Sequence, residues 1–229
     1  NNRNFGIYAL EQGFDKILLE KNQKKESVII RFNEEKYFDE YYLIKNINKT
    51  DQPHIIKSGY GGYMSSEIDA FQTKKTNKNP ILNNYYQIAS NLLTGFRDGK
   101  YKAGEVFDLE KFSLFLSICE IFSAYHATAW TNLRFYYNPF TEKLEPIGFD
   151  ADIGGAEGLN RSGSFYEKFL WTEGNKLFYE RLFSDNVFSK KYLQQLNRLS
   201  SESLFKKFLK EHDKVIIKEI NYLKREWNE

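Results

Sequence analysis

The sequence is short of cysteine, proline, long apolar runs and charge of one sign, and each shortage excludes something. Cys119 is the only cysteine in 229 residues, so neither an intrachain disulfide nor a cysteine-built zinc site can form. Lys and Arg total 33 against 31 Asp and Glu, a net charge of +2, which excludes a nucleic-acid binder held by a basic surface. No apolar stretch approaches the roughly 20 residues of a bilayer-spanning helix, and no charged-then-apolar leader opens the chain. It starts Asn1-Asn2-Arg3-Asn4 without Met, as a processed protein or an excised segment would. No Gly-Lys-Ser/Thr follows the glycines at Gly59, Gly61 and Gly62, so no Walker loop is present, and there is no Gly-x-Ser-x-Gly elbow. His54, His126 and His212 are too scattered for a helical zinc motif.

Aromatic residues are plentiful, with 16 Tyr and 20 Phe, and 41% of the chain is apolar. That composition suits a soluble globular chain long enough to bury its own core. Gly6 to Glu11 and Ser27 to Phe32 read as strands, being short and rich in β-branched and aromatic residues, with a helical turn or two between them at Phe14 to Glu20. Residues 33–52 carry no assignable period, His54 to Lys57 suits a third strand, and Gly59-Tyr60-Gly61-Gly62 reads as a tight loop.

From Pro80 the apolar period becomes helical, through Ile81, Tyr85, Ile88, Leu92 and Phe96. Asp108 is placed to cap a second helix whose stripe runs through Phe112, Phe115, Cys119 and Phe122 to His126 at its C-terminal end. Leu133 to Tyr137 and Leu144 to Phe149 form a β-hairpin about the turn at Asn138-Pro139. Beyond Gly163 the pattern is helical again and ends in an amphipathic stretch from Leu204 to Trp227 that is expected to pack. Strands first, then helices with one embedded hairpin, make an α+β chain. It divides into a β-rich part, residues 1–78, and a helical part, residues 79–229.

Chemistry concentrates where the hairpin ends. Asp150 and Asp152 precede Gly154-Gly155. Such a pair suits Mg²⁺, which takes carboxylate oxygens alongside substrate phosphates, and equally suits an ordinary turn. A hairpin returns its two ends to one place, so His126, Asn132 and Asp150 are expected to converge as a proton acceptor, an amide ligand and a carboxylate ligand. The alternatives are a core histidine and a capping asparagine. Glu11, Lys16 and Arg31 either fix phosphate-binding charge near the N-terminus or are separate surface charges. Tyr-rich segments at Tyr37 to Tyr42 and Tyr60 to Tyr63 either belong to the core or stack on sugars of a polysaccharide, which requires them to be exposed.

In order, these segments resemble the CotH-like spore-coat kinases, secreted bacterial atypical kinases related to the protein-kinase fold. The likeness covers most of the chain. It rests on Gly6-Ile7-Tyr8-Ala9-Leu10-Glu11 with Asp15-Lys16, on the strand to Arg31 and Phe32, on Asn132 with Tyr136 to Pro139, and on Pro146 to Asp152, where Phe149 stands in place of the usual Trp. The resemblance implies a protein-kinase-like fold and Mg²⁺- or Mn²⁺-dependent transfer of the ATP γ-phosphoryl group to a protein Ser/Thr hydroxyl. It makes Asp150, Asp152 and Asn132 the metal shell, and gives the phosphates to Arg31 and Lys16 with Glu11 orienting. The family's Asp upstream of the Asn is absent, and His126 stands in as the base beside Asp150. The same absence fits a degenerate domain that binds nucleotide or metal as a cell-surface scaffold. Export to the cell surface follows from the family, and the phosphoacceptor is not specified.

Overall fold

Alternation of period two over Ile29–Phe32, with Ile30 and Phe32 fully buried, makes the first described strand. A computed structural model describes residues 11–48, 60–151 and 173–226. Within them the chain is α+β, with helices packed around one four-stranded antiparallel sheet. Ahead of that strand (β1), Asp15 caps the short helix α1 (Lys16–Lys21) by accepting from the backbone N–H groups of Ile17 and Leu18. The strand expected before it at Gly6 and the one at His54 lie outside the described residues.

The unassigned stretch after β1 is a helix, α2 (Glu35–Asn48), started by the Asn33 side chain accepting from the Glu35 N–H. The glycine loop expected at 59–62 is corrected: α3 (Tyr60–Ser65) is helical from Tyr60. Gly62 serves close packing there, because a Cβ would sit 2.9 Å from the Tyr37 ring. A three-residue strand, β2 (Ile68–Ala70), then lies antiparallel to β1, with Arg31 opposite Asp69.

Helices α4 (Thr73–Lys78) and α5 (Pro80–Arg97) follow. Asn79 accepts from the N–H groups of Ile81 and Leu82, and Pro80 occupies the first helical position. Four-residue α6 (Ala103–Val106) leads to α7 (Leu109–Ile121), capped by Asp108 as its sequence predicts. The stripe does not carry α7 to His126. The helix ends at Ile121, Phe122 is 62% exposed, and Ser123 reverses the chain at φ +53°. Two 3₁₀ turns, Tyr125–Thr128 and Trp130–Asn132, feed the hairpin of β3 (Arg134–Asn138) and β4 (Lys143–Ile147).

The hairpin is no separate inclusion in the helical part. β3 also pairs with β1, Ile30 opposite Phe135, and the sheet order is β2-β1-β3-β4. Phe32, Phe107, Phe112, Phe135 and Phe178 meet in one core at edge-to-face and tilted ring contacts. Helices α8 (Glu173–Phe183) and α9 (Asn186–Leu199) complete it, with Phe178, Phe188 and Tyr192 buried. The last helix, α10 (Glu202–Glu226), departs from expectation by standing almost wholly exposed instead of packing.

One buried charge ties the hairpin to its neighbours. Glu145 on β4 is 3% exposed and accepts from Lys24, Lys111 and Asn138 at 2.6 Å each. Burial raises its pKa, but those three donors outweigh it and hold the carboxyl below its ordinary value. The sign follows: its contribution is complete above the unfolded carboxyl's pKa of about 4.3 and is lost as pH falls through the lower folded value. Glu145→Gln is expected to cost about 2 kcal/mol in urea unfolding at pH 7. The gap between the two proteins should close as the pH is taken below about 4; a gap constant into acid would contradict this account.

Candidate functional site

Strand register puts two arginines face to face. Arg31 on β1 is paired with Arg134 on β3. Their neighbours Ile30, Phe32, Phe135 and Tyr137 point to the main core, so both arginines take the opposite face. Like charges directly opposite each other destabilise a strand pair. Their repulsion is on the order of 2 kcal/mol at an effective dielectric of about 20.

Two features offset it. Glu34 Oε1 lies 3.0 Å from Arg31 Nη1 and 3.9 Å from Arg134 Nη2, one carboxylate between two guanidinium groups. Aromatic faces supply the rest: Phe71 lies under Arg31 at 5.4 Å and Arg134 at 5.7 Å, and Phe149 under Arg134 at 4.7 Å. Phe14 braces both rings, 4.6 Å from Phe71 and 5.4 Å from Phe149. Arg134 is 3% exposed and donates to the Thr131 carbonyl at 2.6 Å. Burial pulls its pKa down to about 10, against the pull of Glu34, which leaves it cationic at neutral pH. Its Nε is buried without an acceptor, and Glu34 Oε2 without a donor, among the described residues.

Beside this pair stands the expected convergence. β4 delivers Phe149 and Asp150, and Asp150 takes φ +50°, a left-handed conformation that Asp and Asn tolerate better than most residues. Its Oδ2 lies 2.8 Å from His126 Nδ1 and accepts from Asn132 Nδ2 at 3.2 Å. Asn132 also donates to the His126 carbonyl at 3.0 Å, closing a three-residue ring. The turns that carry His126 and Asn132 are anchored below: Trp130 N–H donates to Asn175 Oδ1 at 2.8 Å, and the buried Tyr179 hydroxyl donates to the Thr128 carbonyl. Above, the site is open, with the side chains of His126 and Asp150 53% and 38% exposed. A carboxylate on Nδ1 selects the Nδ1–H tautomer and leaves Nε2 with a lone pair for a proton.

The other sequence candidates divide. Arg31 is at the site, gripped by Glu34. Glu11 is exposed and favours the charged form of Arg134. Lys16 pairs with Glu20 on α1 at 3.2 Å and with Glu26 at 3.9 Å, both carboxylates outside the arginine pair's own ion contacts. Asp152 lies outside the described residues. Sequence reasoning missed Arg134, Glu34 and Phe71; the available signal was an arginine opening an otherwise apolar strand.

Charge arithmetic shows what this arrangement can take. Arg31 and Arg134 with Glu11, Glu34 and Asp150 leave one net negative charge, which repels a free phosphate; a divalent cation reverses the sign. Among the described residues no group of three or more His, Cys, Asp or Glu could hold a metal unaided. Asp150 and the Asn132 amide oxygen match the sparser set that Mg²⁺ uses when phosphates complete its shell. No family model, curated protein or solved structure matches this chain.

The dyad geometry is open to a direct check. Imidazole ¹⁵N spectra at neutral pH should show His126 as the Nδ1–H tautomer, shifting toward Nε2–H in Asp150→Asn. An Nε2–H imidazole in the unaltered protein would refute the assignment.

Proposed function

We propose that this chain is a CotH-like, protein-kinase-like phosphotransferase that moves the ATP γ-phosphoryl group to a protein Ser/Thr hydroxyl with Mg²⁺ or Mn²⁺. The observation that carries the reading is the cross-strand pair of Arg31 and Arg134, one residue's reach from a carboxylate and an amide. Two guanidinium groups held over aromatic rings suit phosphate oxygens, Arg31 by contact and the buried Arg134 by its charge. Asp150 Oδ1 and Asn132 Oδ1 would face the cation, since Asp150 Oδ2 and Asn132 Nδ2 are engaged with each other and His126. When bound, the metal would neutralise charge on the transferred group.

The protein residues then have separable parts. Arg31 would hold the phosphates against the sheet, and the buried Arg134 would add its charge from behind. His126 Nε2 would take the acceptor hydroxyl's proton as that oxygen bonds to phosphorus and the bond to the ADP oxygen breaks, with Asp150 keeping the imidazole in the right tautomer. Export to the cell surface belongs to the same reading and rests on the family resemblance. Among the described residues no helix is long and apolar enough to cross a membrane.

A second reading, binding of nucleotide and metal without turnover, has one observation in its favour: among the described residues Asp150 is the one carboxylate against His126, so it would have to serve the cation as well. Stacking on polysaccharide loses Tyr63 as a platform, since it is 1% exposed and packs on Phe32 and Trp130.

Thermal stability with ATP, with and without divalent metal, tests the proposal. ATP at 100-fold over its Kd should add about 2.7 kcal/mol. It should do so only with Mg²⁺ or Mn²⁺ present, because the cluster alone is anionic. Asp150→Asn, which keeps the backbone conformation, should abolish the gain. Label transfer from γ-labelled ATP to a Ser/Thr-rich protein, lost in His126→Ala while the stability gain persists, separates turnover from binding. No gain with any metal would refute the nucleotide site.

A further inference from the structure

The last helix has a face that the rest of the described chain does not cover. α10 spans Glu202–Glu226, about 37 Å at 1.5 Å per residue. Its substantial contact is with α9, the helix it follows. Phe205 is 59% exposed, Phe208 46%, Val215 57% and Ile220 43%. By contrast α9, of similar amphipathic pattern, buries Phe188 and Tyr192 against α7. An exposed apolar side chain taken singly needs no explanation, but a row from Phe205 to Leu223, about five turns, does.

Its charges are sorted as well. At 3.6 residues per turn, Leu204, Phe205, Phe208, Leu209, Ile216 and Ile220 belong to an arc about 160° wide, whose acidic residues are Glu219, Glu226 and, at its edge beside Ile220, Glu202. The seven Lys and Arg of the helix, from Lys206 to Arg225, all fall within the opposing arc of about 120°. None of its five acidic residues lies in that arc. A near-neutral chain thus carries a one-signed basic stripe opposite an uncovered apolar one.

Three occupants come into question, and width and sign separate them. A two-stranded coiled coil uses a narrow seam at two positions per heptad, which would leave much of this arc wet. A second copy would bring another basic stripe, with no charge to complement the first. A planar surface that is apolar below and anionic at its edge satisfies both arcs at once: the apolar arc enters the acyl boundary, while the flanking Lys206, Lys218 and Lys224 meet headgroups. We propose that α10 is an interfacial helix that lies flat on an anionic lipid bilayer, holding the sheet and its arginine site at the membrane surface without crossing it. This does not depend on the phosphotransferase reading.

Co-sedimentation of the whole chain with phosphatidylcholine vesicles, alone or with phosphatidylglycerol added, tests it. The protein should pellet with the anionic vesicles, less so as salt is raised. Phe208→Glu with Ile220→Glu should abolish pelleting while far-UV circular dichroism and the melting transition stay unchanged, since both side chains are exposed. Lys218→Gln with Lys224→Gln should weaken it by about fivefold per charge removed. Protein left in the supernatant with both vesicle types would overturn the proposal, as would equal binding to phosphatidylcholine alone. So would a concentration-dependent dimer that Phe208→Glu with Ile220→Glu dissociates, which would assign the face to a second copy.

Discussion

Two arginines placed opposite each other on neighbouring strands form the constraint on which the rest of this structure turns. Strand pairing alone opposes that placement, so its surroundings must be organised to hold it. Glu34 sits between the guanidinium groups, Phe71 and Phe149 lie under them, and Phe14 braces both rings. Those residues come from the turn after β1, the turn after β2, the end of β4 and the segment before α1. Four chain segments are thereby drawn to one end of the sheet.

The hairpin transmits that constraint to the candidate chemistry. Arg134 opens β3, and its register partner on β4 is Ile147, three residues before Asp150. Fixing Arg134 therefore fixes where Asp150 emerges. On the other side, Arg134 Nη1 grips the Thr131 carbonyl, one residue before Asn132. One buried side chain thus sets the approach of both halves of the dyad and its amide, and the aromatic core beneath β3 keeps the strand from sliding. A slip of one residue would send Phe135 and Tyr137 to the wrong face. Precision at the exposed end is bought by burial below it.

Local chemistry made some of this legible in the sequence. Helices α5 and α7 declared themselves through apolar period, α7 also through Asp108 at its cap, and the hairpin through its turn residues. The meeting of His126, Asn132 and Asp150 followed from hairpin geometry alone. What stayed hidden depended on tertiary partners. Helix α2 mixes tyrosines and acids with no clean stripe, so nothing local announces it. Gly62 adds to a loop-like pattern because the Tyr37 ring, distant in sequence, demands a residue without Cβ there. His126 continues a helical stripe in spacing, yet Ser123 has already broken the helix. Arg134 and Glu34 look like ordinary charges until the strand register puts one arginine against another. α10 has the pattern of a packed helix, and a packing partner is what no periodicity reveals.

The central claim is the proposal that Asp150, Asn132 and His126 gather around a metal–phosphate group held by Arg31 and backed by the charge of Arg134. The most direct measurement is paramagnetic broadening of side-chain NMR signals by Mn²⁺ with ATP. The account predicts selective loss of the Asn132 side-chain amide and His126 imidazole signals at low Mn²⁺, and their return in Asp150→Asn. Broadening that is absent, or centred on residues remote from this cluster, would contradict it.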